Sequence, residues 1–240
     1  MVTLKTEREN VKIIGGTFED LNANSNQTFN KYDKESREWV VGKFLLPGRR
    51  ILDLGCSIGA WGAFFRKKGY KEIYGVDIAE DRLKTAAKRG YKTFKAHGTK
   101  LPFKDASFDA VVCIDVLVHT IRKEDRLKTI AEAARVLRKD GVFVFSIANL
   151  KYEELYGKVN FYLPMEKRTI AGYCRPIYLK EAIEAAERAG LKVVEARGIQ
   201  FITPSVLVKF PALLKLLDFV FSGSFLKNYA RVIFLKAVKD

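Results

Sequence analysis

An acidic residue inside an apolar run, followed by spaced glycines, is a pattern that can hold a ligand. Residues 51–62 read ILDLGCSIGAWG, so Asp53 lies within the run and Gly55, Gly59 and Gly62 follow it. Glycine lets a backbone approach a ligand closely, and the N–H groups that open a helix can bind a carboxylate or phosphate. Asp77 comes twenty-two residues after Gly55, about the separation at which an acidic side chain meets ribose hydroxyls in a dinucleotide fold. A tight strand-to-helix turn would account for Gly55 and Gly59 alone. Asp53 and Asp77, at the ends of two successive apolar runs, argue instead for a nucleotide-like cofactor. The loop is not the G-x-G-x-x-G of nicotinamide and flavin sites, nor the G-K-[ST] of a P-loop. His119, just past a later apolar run, is placed either to act as a general base or to shape the pocket and cap the next helix.

These residues need elements to position them. RILDL (50–54), EIYGV (72–76), YKTFKA (91–96), FDAVVCI (108–114) and GVFVFSI (141–147) read as strands. FDAVVCI is continuously apolar, as a strand buried on both faces should be. Between the strands lie helical patterns: Ile58, Trp61, Phe64 and Phe65 in the first, then 79–90, then an amphipathic stretch over 122–139. Alternating β and α units predict a parallel sheet covered on both faces, with ligands beyond the carboxyl ends of the strands. After Ile147 the rhythm breaks. A helix is predicted from Pro176 to Ala189, with strands at LKVVEAR (191–197) and RVIFLKAVK (231–239).

The 240 residues carry 43 Lys and Arg against 28 Asp and Glu, a net charge of +15 spread along the chain. Such a surface could attract RNA or anionic lipid. A Lys/Glu-rich surface of thermophilic type is the alternative, and it fits a chain whose glutamines are Gln27 and Gln200 alone. Cys56, Cys113 and Cys174 are too scattered for a disulfide framework, and no Cys/His cluster suggests a metal. The charged N-terminus lacks the apolar core of a secretory signal, which points to the cytoplasm. Residues 82–104 hold eight basic side chains and no acidic one. That run reads as an RNA-facing patch or as lysines protecting an edge strand.

Taken together, D-L-G-C-S-I-G (53–59), VDIAEDRL (76–83), HGTKLPFKDASFDAVVCIDVLVH (97–119) and ARVLRKDGVFVFSI (134–147) resemble the class I S-adenosylmethionine-dependent methyltransferases. The resemblance runs through residues 50–147 and resumes at 176–197. It implies a Rossmann-like, doubly wound, mostly parallel seven-stranded sheet whose last strand, 231–239, is antiparallel. It also implies S-adenosylmethionine as cofactor, leaving as S-adenosylhomocysteine. Asp53 would orient the glycine loop and reach the amino group of the methionine moiety. Gly55, Cys56, Ser57 and Gly59 would line the cofactor, Asp77 would take the ribose hydroxyls, and Ile78 would lie against adenine. Asp115 and Val116 would flank the sulfonium, and Tyr32 would serve as a lid residue. The sequence departs from the family at Ser57, where a glycine is usual, a change that ordinary backbone angles would tolerate. It departs again at His97, where the family often has an acid, leaving His97, Gly98 or Thr99 to contact adenine.

One domain is predicted over 1–240, with an N-terminal helical lid (1–49) and cap insertions at 148–175 and 198–230. From Pro211 to Phe221 the chain is apolar nearly all round. It is not a transmembrane helix, because Pro204, Pro211 and charges interrupt it. The whole segment 201–230 could cap the site or pair two subunits, and its part 201–221 could touch a membrane surface, so the chain could be a monomer or a homodimer. The reading that follows is methyl transfer to a small-molecule or lipid-like acceptor beneath the cap. The alternatives are a tRNA or RNA methyltransferase using the basic surface, although the [DN]-P-P-[YF] and Pro-Cys signatures of two such classes are missing, and a cofactor-binding protein without transferase activity.

Overall fold

A computed structural model of the chain describes residues 27–156, 175–201 and 210–240. Expectations that fall on 1–26, 157–174 and 202–209, Cys174 and Pro204 among them, lie outside the described residues. Helix α1 (Gln27–Phe44) leads into β1 (Arg50–Leu54), α2 (Gly62–Lys67), β2 (Glu72–Asp77), α3 (Glu80–Lys88) and β3 (Lys92–Lys95). Then come β4 (Phe108–Cys113), a 3-10 turn (Leu117–His119), α4 (Lys123–Val136), β5 (Leu137–Ala148) and α5 (Leu150–Tyr156). The chain ends with α6 (Leu179–Arg188), β6 (Leu191–Ile199), α7 (Pro211–Phe221), a second 3-10 turn (Phe225–Tyr229) and β7 (Val232–Lys239).

The seven strands form one sheet in the order β3-β2-β1-β4-β5-β7-β6, and only β7 runs antiparallel to its neighbours. Alternate side chains of the central strands face opposite layers, as period-two geometry requires. Leu52, Val111, Phe143 and Leu235 pack under α4 and α6, against Ile130, Ala133, Ala182 and Ala186. Ile51, Ala110, Val144 and Phe234 pack under α1, α2 and α3, against Val41, Phe44, Phe65 and Leu83. Because β1 and β4 are neighbours while the chain passes through β2 and β3 between them, the strand order reverses there. A crevice opens at that point, beyond the strand ends.

Several predicted boundaries move. Residues 58–61 are turns, and α2 starts only at Gly62, since Gly55, Ser57 and Gly59 all adopt left-handed backbone angles that no helix continues. The helix predicted over 122–139 stops at Val136, because Leu137 pairs with Phe108 and begins β5. Pro176 does not open α6. The neighbouring Ile177 forms a parallel bridge with Asn149 and donates its N–H to Ala148, so the helix waits until Leu179. Strand β6 runs on to Ile199, which pairs with Val232 of β7. The basic strand β3 is an edge, and its lysines are paired outward: Lys92 with Glu72, Lys95 with Glu80.

Candidate active site

A cleft of about 630 Å³ lies at the strand reversal, within the usual range for a small-molecule site. Its floor is the β1 loop with Asp53, Gly55, Cys56 and Ser57, and one wall is Asp77, Ile78 and Arg82 beyond β2. His97 and Gly98 follow β3, and Asp115, Val116 and His119 follow β4. Four residues of α1, Asp33, Lys34, Arg37 and Glu38, close the remaining side.

The loop is held by its own polar groups. The Ser57 N–H donates to Asp77 Oδ2 at 2.9 Å, and the Ala79 N–H donates to Asp77 Oδ1 at 2.9 Å. One carboxylate thus ties the glycine loop to the end of β2, and each oxygen keeps acceptor capacity toward the cleft. Ser57 has φ 47, so the condition attached to its tolerance, ordinary backbone angles, is not met. Its two hydrogen bonds, to Asp77 and from Arg82 Nη1 to Ser57 Oγ at 3.2 Å, offset the strain of a left-handed non-glycine residue. The second terminal nitrogen of Arg82, Nη2, is buried with no partner, an unused donor in the cleft wall.

The glycines have separate reasons. A Cβ on Gly55 would lie 2.2 Å from Val116 Cγ2, so the side chain beyond β4 closes directly over this backbone. Gly59, expected to line the cofactor, does not reach the cleft. A Cβ there would meet Tyr91 Cε2 at 2.9 Å and the Ala86 backbone at 3.1 Å, so it serves packing of the loop on α3. Gly62 and Gly75 also leave room for the Tyr91 ring. That ring is buried, and its hydroxyl donates to Asp53 Oδ2 at 2.9 Å. Tyr91 and the buried Asp53 form a polar pair that the sequence pattern did not reveal. Burial, with a smaller contribution from Asp77, pushes the Asp53 carboxyl up to about 7 despite the Tyr91 hydrogen bond. Burial likewise pushes the Cys56 thiol up, so it is a lining group rather than a nucleophile.

On the opposite side, Asp115 takes a left-handed conformation (φ 57) fixed by Ser146, whose Oγ accepts from the Asp115 N–H at 2.8 Å. Arg37 Nη1 donates to Asp115 Oδ2 at 2.6 Å, and Arg37 Nε donates to Asp33 Oδ1 at 2.8 Å. Burial opposes the Arg37 charge, but Asp115 and Asp33 outweigh it and hold the proton more firmly than usual. The ion pair clamps α1 over the turn after β4. Nothing in the local sequence announces it, because 78 residues separate the partners.

Two expected contacts are placed elsewhere. Tyr32 is fully buried outside the cleft, and its hydroxyl donates to Asp218 Oδ2 at 2.7 Å, bracing α1 against α7. Thr99 turns back on His97: its N–H donates to His97 Nδ1 at 3.3 Å, with its hydroxyl 2.8 Å away, while His97 and Gly98 face the cleft. Ile58 and Trp61, which have helical spacing in the sequence, sit in the turns before α2 and line the cleft, Trp61 also packing on Phe64 and Phe65.

A parallel sheet with its reversal at β1/β4, an acid at the end of β2 and an antiparallel β7 define a Rossmann-like cofactor enzyme. Residues 52–145 match the family model of a methyltransferase domain. An uncharacterised protein of Methanocaldococcus jannaschii is 31% identical over 186 residues, covering 70% of this chain and 82% of its own. A ubiquinone biosynthesis O-methyltransferase of Paracidovorax citrulli is 27% identical over 177 residues, covering 68% and 71%. A probable tRNA methyltransferase 9B of Mus musculus is 33% identical over 113 residues, which span 45% of this chain but only 25% of that protein. Among solved structures, a Pyrococcus horikoshii protein aligns with TM-score 0.65 at 18% identity, covering 90% of this chain and 92% of that one. Magnesium protoporphyrin IX methyltransferase from Synechocystis, with bound S-adenosylhomocysteine, aligns at TM-score 0.55 and 19% identity, covering 88% and 83%. The chain belongs to the class I S-adenosylmethionine-dependent methyltransferases. The cradle fits that cofactor: a buried carboxylate for a cationic group, an acid beside the loop for hydroxyls, and an unused guanidinium donor between them.

Proposed function

We propose that this methyltransferase acts on a small, lipid-like acceptor held beneath α1, with His119 as the base. S-adenosylmethionine, when bound, supplies a methyl group already activated on a sulfonium. Asp53, at the floor of the cleft, would face the cationic end of the cofactor, Asp77 would hold the ribose hydroxyls, and Ile78 with His97 and Gly98 would border the adenine. Asp115 and Val116 fix the strand end beside the reacting centre. Positioning and exclusion of water then supply much of the rate. His119 lies on the same rim, and one of its ring nitrogens takes the acceptor's proton where the nucleophile is protonated.

The observation that carries the small-acceptor reading is the α1 wall. Asp33, Lys34, Arg37 and Glu38 roof the cleft, and the Arg37–Asp115 pair holds the roof down. Such a roof suits an acceptor that fits inside better than one that must lie across the surface. The similarity to a ubiquinone biosynthesis O-methyltransferase supports the same class.

A tRNA acceptor is the second reading, favoured by the exposed basic side chains of α3 and β3 and by the similarity to a probable tRNA methyltransferase. Those cations border the His97 side of the cleft, away from the α1 roof. Incubation with methyl-labelled cofactor and, in parallel, a lipid extract and total tRNA separates the two. Label in the lipid fraction is expected; label confined to tRNA refutes the small-acceptor reading.

A further inference from the structure

Helix α7 is packed inside out. Its buried positions are Leu214 and the carboxylate-bearing Asp218, while Leu213, Leu216, Phe219 and Val220 face outward, 41–64% exposed. Phe210 and Phe225, at either end of this segment, are exposed as well. This orientation is locked by polar bonds. Asp218 accepts from the Tyr32 hydroxyl at 2.7 Å and from the Gln200 N–H at 2.9 Å, so the helix cannot roll to hide its apolar side without breaking both. A contiguous apolar face held outward in this way marks an interaction surface.

The charge around it indicates the partner. Trp39 of α1 packs on Phe219 with ring centroids 5.7 Å apart. Lys43 lies over the Trp39 ring at 5.3 Å and Arg197 at 5.7 Å, and α7 itself carries Lys215. Its carboxylates are each answered locally: Glu35 by Lys215, Glu38 by Lys34 and Glu195 by Arg197. Exposed hydrophobes bordered by a tryptophan and lysines suit the boundary between headgroups and acyl chains. A second copy fits less well, because two chains of net charge +15 repel one another while an anionic bilayer attracts each. At eleven residues the helix is about 16 Å long, enough to lie in a membrane surface and too short to cross one.

We propose that the outward face of α7, with the Trp39 end of α1, docks on an anionic lipid surface. The docking stands on this geometry alone. Its use, bringing the α1 roof of the cleft against the bilayer from which an acceptor is drawn, rests on the lipid-like reading above.

Vesicle flotation tests it, with phosphatidylcholine alone and with phosphatidylcholine mixed with phosphatidylglycerol. Wild-type protein should float with the mixed vesicles, much less with the neutral ones, and less as salt rises. The double variant Leu216→Glu/Phe219→Glu should lose about a hundredfold in partitioning, tenfold for each large apolar side chain withdrawn. Its cofactor binding, measured by calorimetry, should match wild type and so report an intact fold. In wild-type protein, amide exchange over 211–225 should slow when mixed vesicles are added, a readout that does not depend on the variant folding. The proposal is overturned if wild-type protein ignores mixed vesicles, if the double variant binds them as tightly, or if protection appears only along β3. It is also overturned if the variant's sole effect is to dissolve a dimer. Docking without label in any lipid would keep this proposal and refute the lipid-like acceptor.

Discussion

Replacing Asp53 with asparagine should stabilise the ligand-free protein at alkaline pH while weakening its hold on the cofactor. Burial raises the Asp53 carboxyl from its ordinary 3.8 to about 7. That displacement corresponds to about 4 kcal/mol against the ionised form. The folded protein therefore binds this proton more tightly than the unfolded chain does. The favourable contribution is complete below about 3.8, shrinks as pH rises, and is lost by about 7, leaving a buried charge as a constant penalty above. Asparagine keeps the shape and an amide oxygen to accept the Tyr91 hydroxyl, but it cannot ionise. In urea unfolding near pH 8, Asp53→Asn should exceed wild type by up to about 4 kcal/mol, and near pH 4 the two should unfold alike. The cationic cofactor reverses the sign. Wild-type affinity should rise by up to about tenfold per pH unit toward 7 and then level, whereas the asparagine variant should bind more weakly with no such rise. Equal stability of the two proteins near pH 8, or wild-type binding flat between about pH 5 and pH 8, would refute the claim that this carboxylate is held at a cost for the ligand.

Gly55→Ala should cost more than about 3 kcal/mol or abolish cofactor binding, since its Cβ has nowhere to go beside Val116; thermal unfolding and calorimetry read both outcomes. Ser57→Val, β-branched at φ 47, should destabilise by about 2 kcal/mol in urea unfolding, whereas Ser57→Gly should fold and bind as wild type. Arg82→Met should weaken cofactor binding about tenfold while lowering stability by only about 1 kcal/mol, because the Nη1 bond to Ser57 Oγ is lost but the spare Nη2 donor has no partner in the protein to lose. Tyr32→Phe should lower stability by about 1–3 kcal/mol and speed amide exchange in α7, because it leaves the buried Asp218 short of a donor.

Strands β1, β4, β5 and β7 were legible because each carries a buried apolar run with little polar interruption, and burial on both faces leaves that mark in any sequence. Their parallel arrangement was implied by the alternation of β and α units, and the antiparallel last strand by the family resemblance. The helix starts were less legible. Ile58 and Trp61 have helical spacing, yet the left-handed Gly55, Ser57 and Gly59 force turns where periodicity continues a helix. Pro176 carried a helix-start signal that lost to the Ile177–Asn149 bridge. At the site, Asp53 and Asp77 stood out because an acid at a strand end is unusual in an apolar context. Arg37 and Tyr91 did not, since their meaning lies in partners 78 and 38 residues away. Tyr32 was placed on the right helix, but its hydroxyl turns to α7 instead of the cleft.

The room that Gly59, Gly62 and Gly75 leave for one tyrosine ring has a consequence for anyone who would alter this pocket. These positions and Tyr91 behave as a single mechanical part, a pin in a slot, and cannot be varied one at a time. A scan of the loop would record lost cofactor binding at Gly59 and credit it to a missing contact, although Gly59 does not line the cleft. Trimming the tyrosine would relieve only part of the loss, because a Cβ on Gly59 would still meet the Ala86 backbone at 3.1 Å in a left-handed conformation. Among relatives, a larger residue in the slot should therefore travel with a smaller one at the pin, and that pairing, rather than the glycines by themselves, is what redesign would have to preserve.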